Sequence, residues 1–337
     1  MTRAGGEAPC TWWWSTAPRA GAIAVAHVAG PAPAVDALLR AMTGAQAPTT
    51  GALAWRRLGA VDDGVVARVA ATHALVMPHG GTRIRARLET LAAAAGARVA
   101  DGAAPEDTFP EAADALEAHA LAAIARAASP LAIDLLAAQP ARWRAHGAPG
   151  AATDRDRRLR RLIDPPRIAI VGPANAGKSS LLNALAGRTV AIAHDRAGTT
   201  RDAVAARVDL AGLVVDCFDT PGARPDADAV ERAAAALAAR AIEHADLLLH
   251  LSAPGLGWDA PAAPERIPRL RVLAQCDRAE AERCAERAQA ALRVSALRGE
   301  GLPALAARVR DLLVPPQELA DGAPWRFAEG LPGPAGA

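Results

Sequence analysis

Lysine is almost absent from this sequence: its 337 residues contain one lysine, Lys178. Asparagine is nearly as rare, with two occurrences, Asn175 and Asn183. The three residues lie in one short stretch, which indicates chemistry that the abundant arginines do not supply. A lysine ammonium is a compact charge on a flexible stem, able to approach phosphate oxygens where a planar guanidinium would not fit. The stretch therefore predicts a binding site for nucleotide phosphates.

Other absences exclude whole classes of protein. Aromatic residues make up 3% of the chain, so the core must rest on Leu, Val, Ile and Ala. The four cysteines show no C-x-x-C spacing and predict neither a zinc site nor a disulfide framework, as expected for a cytoplasmic protein. Charged residues or proline interrupt each apolar run before the ~18 residues of a membrane helix, so no membrane partner is predicted. A formal charge of +2 gives no electrostatic argument for nucleic acid.

Patterns of apolar residues predict an α/β fold with several parts. Residues 1–102 alternate strands and helices and form a small α/β domain. Residues 103–162 form a short helical segment with a charged linker. Residues 163–316 form a nucleotide-binding domain with a mixed, mostly parallel sheet and helices on both faces. Residues 317–337 are rich in Pro and Gly and are expected to be disordered.

Two local clusters have more than one interpretation. The tryptophans at 12–14 are expected to cap an apolar surface or a dimer seam, in preference to stacking on bases or lipid. The arginine-rich segment 154–161 is expected to be a solvated helix between domains, in preference to a phosphate-gripping patch, because two aspartates are mixed into it.

Residues 172–179 read Gly-Pro-Ala-Asn-Ala-Gly-Lys-Ser and match the phosphate-loop pattern G-x-x-x-x-G-K-[ST]. A predicted strand, 168–171, precedes the motif and a predicted helix, 179–186, follows it, which is the required context. We expect Lys178 to neutralise phosphate charge and the Ser179 hydroxyl to ligate Mg²⁺. The predicted phosphate-binding residues are Gly172, Asn175, Ala176, Gly177, Lys178, Ser179 and Ser180.

Two later motifs supply what nucleotide hydrolysis needs. A loop carries Thr199 and Thr200, and a hairpin over 207–218 leads to Asp219-Thr-Pro-Gly222. We expect Thr200 to provide a second hydroxyl ligand to Mg²⁺ and Asp219 to hold the metal through water. The N–H group of Gly222 would meet the γ-phosphate.

Guanine selectivity normally needs a carboxylate that accepts from the base, in an Asn-Lys-x-Asp after a strand. Here a predicted strand, 270–273, ends in Ala274-Gln275-Cys-Asp277, so the carboxylate is kept. Ala274 cannot make the polar bonds that tie the base and the phosphate loop together, and Gln275 replaces the lysine stem that covers the ring. Since each missing polar bond costs about 1–3 kcal/mol, we expect weakened affinity with guanine preferred. Ser295 and Ala296 form the loop expected to meet the base O6, and with Asp277 they disfavour an ATPase.

These motifs resemble those of the TrmE-Era-Era-like superfamily of GTPases, and most closely the tRNA-modification GTPases. The segments that carry the resemblance are 172–187, 197–202 and 219–224. The resemblance implies that Asn175 helps to bind K⁺ beside the phosphates and that Glu231 orients the attacking water. It also implies that K⁺ and a transient dimer of G domains replace an arginine finger. An ordinary exposed helix residue is the alternative interpretation of Glu231.

The resemblance extends faintly to segments 21–25 and 78–81, which look like the family's folate-binding, dimer-forming domain. It implies a homodimer through the amino-terminal domain, and tRNA or a flavin-dependent protein as partner. His79 is expected to contact folate or a catalytic partner, or to make a structural hydrogen bond in a turn. The family's two-part helical domain looks reduced or missing here, and Ala17–Gly21 replaces its folate-contacting stretch, so the chain resembles a divergent and shortened member.

The leading hypothesis is a Mg²⁺-dependent, K⁺-stimulated GTPase that binds GTP and GDP and acts as a conformational switch. Its candidate catalytic residues are Lys178, Thr200 and Glu231. The alternative is a nucleotide-binding scaffold, or a ribosome or RNA assembly factor, with little hydrolysis. The departures at Ala274 and Gln275 motivate this alternative.

Overall fold

The computed structural model of the chain describes residues 10–16, 21–188, 206–219, 239–240 and 242–331. The chain divides into two compact units, Met1–Ala125 and Arg126–Ala337. Sequence analysis expected boundaries at 102 and 162 instead. The difference arises because the helical segment between these positions is shared by the two units. Among the described residues, no helix combines the length and apolar composition needed to cross a bilayer.

The first unit is a mixed sheet with helices. Its strands are β1 (Thr11–Trp14), β2 (Ala26–Ala29), β3 (Leu53–Leu58), β4 (Asp62–Ala70), β5 (His73–Pro78) and β6 (Arg98–Val99). Its helices are α1 (Ala32–Thr43), α2 (Thr82–Ala94), α3 (Pro105–Thr108) and α4 (Ala115–Arg126). The strand order is β3-β4-β5-β2-β1-β6, antiparallel except between β1 and β6. The sequence predicts the small α/β domain over residues 1–102, whereas the unit extends to Ala125 and includes α3 and most of α4.

Helix α1 shows how the spacing of apolar residues determines which face of a helix is buried. Val35, Leu38, Leu39 and Met42 recur at helical spacing, and all four are buried in the core. The helix ends at Gly44, whose φ of 69° is left-handed, and the Gly44 N–H donates to Arg40 O. Apolar residues at helical spacing thus form the buried face of α1.

The tryptophan cluster lies in β1. Because successive side chains of a strand point to opposite faces, Trp12 and Trp13 are buried on opposite sides of the sheet. Trp12 joins the core with α1, while Trp13 stacks on His27 with ring centroids 5.1 Å apart. Both rings are enclosed by their own unit, so neither is available for stacking on bases or lipid.

The second unit contains a six-stranded sheet. Its strands are β7 (Arg167–Val171), β8 (Ala206–Leu210), β9 (Leu213–Asp219), β10 (Leu247–Ser252), β11 (Arg269–Leu273) and β12 (Leu292–Arg293). Its helices are α5 (Leu131–Ala137), α6 (Gln139–His146), α7 (Asp154–Arg160), α8 (Lys178–Arg188), α9 (Leu302–Leu313) and α10 (Pro316–Ala320). The order is β12-β11-β10-β7-β9-β8, and only the β8–β9 hairpin is antiparallel. The predicted, mostly parallel sheet is confirmed.

This topology positions the candidate site. Strand β7 is central and buried, as the apolar run in its sequence predicts. The segments that follow β7, β9, β11 and β12 all leave the sheet at its carboxyl edge. Ligands of open α/β sheets bind at this edge, and the phosphate loop, Asp219, Asp277 and Ser295 lie at the ends of these four strands.

The prediction of a disordered tail is wrong over residues 317–331. Trp325 and Phe327 are each 1% exposed and pack by their edges, with ring centroids 5.9 Å apart. The Trp143 indole N–H donates to Trp325 O at 3.3 Å, and the Trp325 N–H donates to Gln139 Oε1 at 3.1 Å. Composition suggested disorder, but two aromatic rings bury enough apolar surface to fix a Pro- and Gly-rich segment. Residues 332–337 lie outside the described part.

The arginine-rich segment forms α7, which begins with a capping box between Thr153 and Asp156. Its arginines make ion pairs within the second unit. Arg158 makes an ion pair with Glu318, Arg155 with Asp321 at 3.1 Å and Arg161 with Asp246 at 2.9 Å. This arrangement favours a structural helix over a phosphate-binding patch.

Candidate nucleotide site

The phosphate loop joins β7 to α8 and depends on two glycines. Gly172 has a φ of 145°, and a Cβ at this position would lie 2.1 Å from Leu251 O. Gly177 has a φ of 92°, which is also unfavourable for a residue with a side chain. Asn175, between them, has a left-handed φ of 64°, a region that asparagine adopts more readily than most residues. The motif thus combines a tight backbone with the amino terminus of a helix, an arrangement suited to binding an anion.

Lys178 is the first residue of α8 and is 8% exposed. Its ammonium group donates to Gly172 O and to Pro173 O, each at 3.0 Å, so it lies across the loop. Desolvation lowers the pKa of Lys178, and the charge of Asp219 opposes this shift. A positive charge is thereby held beside the loop and the start of α8, where it can neutralise a phosphate.

Ser179 and Asp219 meet although they are far apart in sequence. Ser179 Oγ donates to Asp219 Oδ2, at the end of β9. Asp219 Oδ1 is buried and has no hydrogen-bond partner among the described residues. A hydroxyl and an unsatisfied carboxylate oxygen are the ligands that Mg²⁺ prefers, so the pair fits this ion. The described residues contain no cluster of three or more His, Cys, Asp or Glu that could hold a metal.

Asp277 follows β11 and is oriented by the loop after β12. Ser295 Oγ, which is fully buried, donates to Asp277 Oδ1 at 2.6 Å and accepts from the Arg298 N–H at 3.1 Å. The Ser295 hydroxyl, more than any other group, lowers the pKa of Asp277, and the backbone N–H of Asp277 adds to this effect. The carboxylate is therefore ionised and fixed at neutral pH. Such a group can accept from the two N–H donors on the Watson–Crick edge of guanine.

A cleft of about 210 Å³ lies at the base end of the site and reaches the phosphate loop at Gly177 and Ser180. Its lining includes Gly177, Ser180, Ala274, Gln275, Asp277 and Ala296. Two predicted phosphate-binding residues, Gly177 and Ser180, thus line one surface with the predicted base-binding residues Asp277 and Ala296. Leu297, beside Ala296, also lines the cleft and is 85% exposed.

Gln275 makes a contact that sequence analysis missed. Its Nε2 donates to Asn175 O at 2.8 Å, which joins the segment after β11 to the phosphate loop. Ala274 cannot make the polar bonds of the usual asparagine, but the neighbouring Gln275 amide provides a different bond to the phosphate loop. The sequence does show a polar amide next to Ala274, but it does not show that this side chain points toward the phosphate loop. The expected weakening of nucleotide affinity stays a prediction.

Four predicted site residues lie outside the described residues. They are Thr199, Thr200, Gly222 and Glu231.

In the first unit, His79 is 62% exposed and held by Asp62. The His79 ring Nδ1 lies 2.9 Å from Asp62 Oδ1, and the backbone N–H donates to Asp62 Oδ2 at 2.9 Å. This geometry favours the structural interpretation of His79. The turn that follows is tight, since a Cβ on Gly80 would lie 2.4 Å from Gly21 O.

Comparison with known proteins agrees with this site. Residues 167–281 match the family model described as 50S ribosome-binding GTPase. The tRNA modification GTPase MnmE of Parvibaculum lavamentivorans is 44% identical over 158 residues, covering 47% of this chain and 35% of the relative. The protein of the same name from Akkermansia muciniphila is 46% identical over 121 residues, covering 35% of this chain and 27% of the relative. The chain thus spans about a third of the length of these curated relatives.

A crystal structure of Era from Aquifex aeolicus bound to GDP and AlF4 is 26% identical, covers 43% of this chain and 56% of that chain, and has a TM-score of 0.32. This score supports no structural argument. Sequence similarity, motif order and sheet topology together identify a P-loop GTPase domain in the second unit. The resemblance to tRNA-modification GTPases is confirmed over this domain.

Proposed function

We propose that this chain, which carries a P-loop GTPase domain, binds GTP and GDP and hydrolyses GTP as a Mg²⁺-dependent, K⁺-stimulated conformational switch. One observation carries the proposal. The Lys178 ammonium, the Ser179–Asp219 pair and the Asp277–Ser295 pair all lie at the carboxyl edge of one sheet. These three features serve phosphate, metal and base respectively.

At the phosphate end, Lys178 and the first turn of α8 bind the β- and γ-phosphates. Ser179 and Thr200 would ligate Mg²⁺ and Asp219 would hold it through water, and the ion would supply positive charge that stabilises phosphoryl transfer. Thr199 belongs to the same loop as Thr200, and the Gly222 N–H meets the γ-phosphate. At the other end, Asp277 reads guanine while the backbone of Ala296 meets its O6.

Hydrolysis needs a device that orients water. We assign this function to Glu231, and we assign the binding of K⁺ beside the phosphates to Asn175. The resemblance to tRNA-modification GTPases supports both assignments. Asn175 also has an exposed side chain on the phosphate loop, where an ion could reach it.

The wider activity proposed is a part in tRNA modification, as the names of the curated relatives suggest. The family resemblance also implies folate as a ligand, a flavin-dependent protein as a partner, and a location in the cytoplasm.

We further propose a homodimer through the first unit. Edge strand β3 exposes Leu53 by 71% and Trp55 by 62% on one face, opposite Ala67 and Val65 of β4. Exposed apolar residues that adjoin on a sheet face are typical of an interaction surface.

The first experiment is nucleotide turnover by the purified chain, with GTP against ATP and KCl against NaCl, over a range of protein concentrations. We expect turnover that is selective for GTP and rises with K⁺ and with protein concentration. Binding of GTP without turnover in either salt would overturn the hydrolysis and favour the scaffold with little hydrolysis. Equal use of ATP would overturn the role of Asp277.

A further inference from the structure

We propose that Gln275 is a positioning residue that couples guanine recognition to phosphate binding by fixing the segment after β11 against the phosphate loop. This inference rests on the nucleotide binding proposed above. It assigns to Gln275 a link that Ala274, with an apolar methyl side chain, cannot make.

The Gln275 amide can face Asn175 O in one orientation only. Gln275 Nε2 lies 2.8 Å from Asn175 O, across 100 residues of sequence. An amide can present either oxygen or nitrogen, but a carbonyl only accepts, so the nitrogen must face Asn175. The bond is therefore a donation from the base end of the site to the phosphate end.

Both ends of this bond have unusual backbone conformations. Gln275 has a φ of 56° and Asn175 a φ of 64°. Residues other than glycine adopt left-handed conformations at a cost, and these persist where surrounding contacts enforce them. Ala211, in the turn of the β8–β9 hairpin, is the third such residue among those described. The Gln275–Asn175 bond thus joins two strained points that lie in the same site.

Ala274 and Gln275 divide the contact with the phosphate loop between them. A Cβ built on Gly177 would lie 3.9 Å from the Ala274 methyl carbon and 3.6 Å from Gln275 Nε2. Ala274 is 5% exposed, so its methyl group fills the space against the loop. The amide beside it supplies the polar bond.

The residues on either side of the bond hold opposite ends of the nucleotide. Lys178 follows Asn175 in the phosphate loop, and Asp277 follows Gln275 in the base segment. A link that fixes their separation reduces the ordering that a bound nucleotide would otherwise impose on the two segments. Loss of the link should therefore weaken the binding of a ligand that spans both ends more than the binding of a ligand that occupies one end.

The test compares GDP, which spans both ends, with inorganic pyrophosphate, which occupies the phosphate end. Calorimetric titration in Mg²⁺ measures both ligands on the full chain and on Gln275→Ala. A hydrogen bond contributes about 1–1.5 kcal/mol, so we expect the Kd for GDP to rise about tenfold. The Kd for pyrophosphate should change less than about twofold, which is a difference that general loss of structure would not produce.

Two further variants sharpen the test. Gln317→Ala, at an exposed glutamine of α10, removes the same atoms away from the site and should leave both affinities unchanged. Gln275→Glu keeps the shape of the side chain but replaces the donor with a carboxylate oxygen facing Asn175 O. Gln275→Glu should weaken GDP binding at least as much as Gln275→Ala does. This result would show that loss of the donor, and not loss of side-chain volume, weakens binding.

The outcomes separate the two proposals. Failure of the unaltered chain to bind GDP would overturn the proposed function and, with it, this inference. GDP affinity equal in the unaltered chain and Gln275→Ala would overturn the inference alone. Equal weakening of GDP and pyrophosphate would also overturn it, because the residue would then support the phosphate loop without coupling it to base recognition.

Discussion

The two ends of the nucleotide cleft differ in how closely they follow the sequence motifs. The phosphate end keeps Lys178, Ser179 and Asp219, and the structure brings all three together. The base end keeps Asp277 but has Ala274 and Gln275 at the two positions where the common pattern has Asn and Lys. Charge and coordination chemistry restrict the residue types at the first end. A structural link at the second end can come from any amide within reach, so the pattern can change while the link is kept.

Lys178→Met should have the largest effect because it removes the single lysine of the chain and its buried charge. We expect GTP and GDP affinity to fall by about 100-fold or more, since truncating one partner of a buried charge pair costs about 2–5 kcal/mol. Lys178→Arg should also fail, because a planar guanidinium does not reproduce a point charge.

Fluorescence titration with a labelled GDP measures this effect. Arg308→Met, at an exposed position of α9, is the control for loss of one positive charge and should bind normally. GDP affinity within a few-fold of normal in Lys178→Met would mean that the phosphate end does not depend on this ammonium.

Asp277→Asn should give the next largest effect, at the base end. An amide nitrogen in place of a carboxylate oxygen faces the N–H donors of guanine with another donor, so we expect GTP affinity to fall about 100-fold. Xanthine carries an oxygen where guanine has its amino group, so xanthosine triphosphate should gain affinity.

Competition of GTP, xanthosine triphosphate and ATP against labelled GDP measures the change in base preference. ATP affinity should be unchanged and serves as the internal control. If both guanine and xanthine nucleotides bind Asp277→Asn as they bind the unaltered chain, another residue selects the base.

Ser179→Ala tests the metal at the phosphate end. The hydroxyl would ligate Mg²⁺ in the nucleotide complex, so we expect the Mg²⁺ concentration for half-maximal turnover to rise about tenfold. GDP affinity measured in EDTA should stay the same, because the substitution removes a metal ligand and leaves Lys178 in place. A change in EDTA as large as the change in Mg²⁺ would contradict the assignment of Ser179 to the metal.

The sequence predicted the phosphate end well because its chemistry restricts residue types at fixed spacing. The strand, loop and helix around Lys178 were expected within one or two residues of their observed bounds. The meeting of Ser179 with Asp219 also followed, since both positions leave the same edge of a parallel sheet. Local pattern and sheet topology agree in this part of the molecule.

The base end and the tail show where sequence patterns fail. The Gln275 contact depends on a left-handed turn, which no local propensity of glutamine predicts. The order of residues 317–331 depends on Trp325 and Phe327 packing with Trp143, far away in the sequence. In both cases tertiary contacts override what composition indicates.

Ser295→Ala should have the smallest effect, and it separates orientation of Asp277 from its charge. The Ser295 hydroxyl lowers the pKa of Asp277 below its ordinary value of 3.8, so its loss should raise that pKa. At neutral pH the carboxylate is ionised in both forms, and we expect GDP affinity to fall only about threefold, the cost of a misaligned hydrogen bond. Because binding needs the ionised carboxylate, affinity should decrease as the pH falls, and this decrease should begin at a higher pH in Ser295→Ala.

GDP titrations from pH 7.5 down to about pH 3, a range that includes the ordinary Asp pKa of 3.8, follow this shift, with thermal unfolding at each pH as a control for the fold. If affinity depends on pH in the same way in both proteins and differs only by a constant factor, Ser295 only supports the loop and accepts from the Arg298 N–H. A profile displaced to higher pH would show that the hydroxyl also keeps Asp277 ionised. The base end would then depend on its few retained polar groups as strictly as the phosphate end depends on Lys178, despite the looser sequence pattern around them.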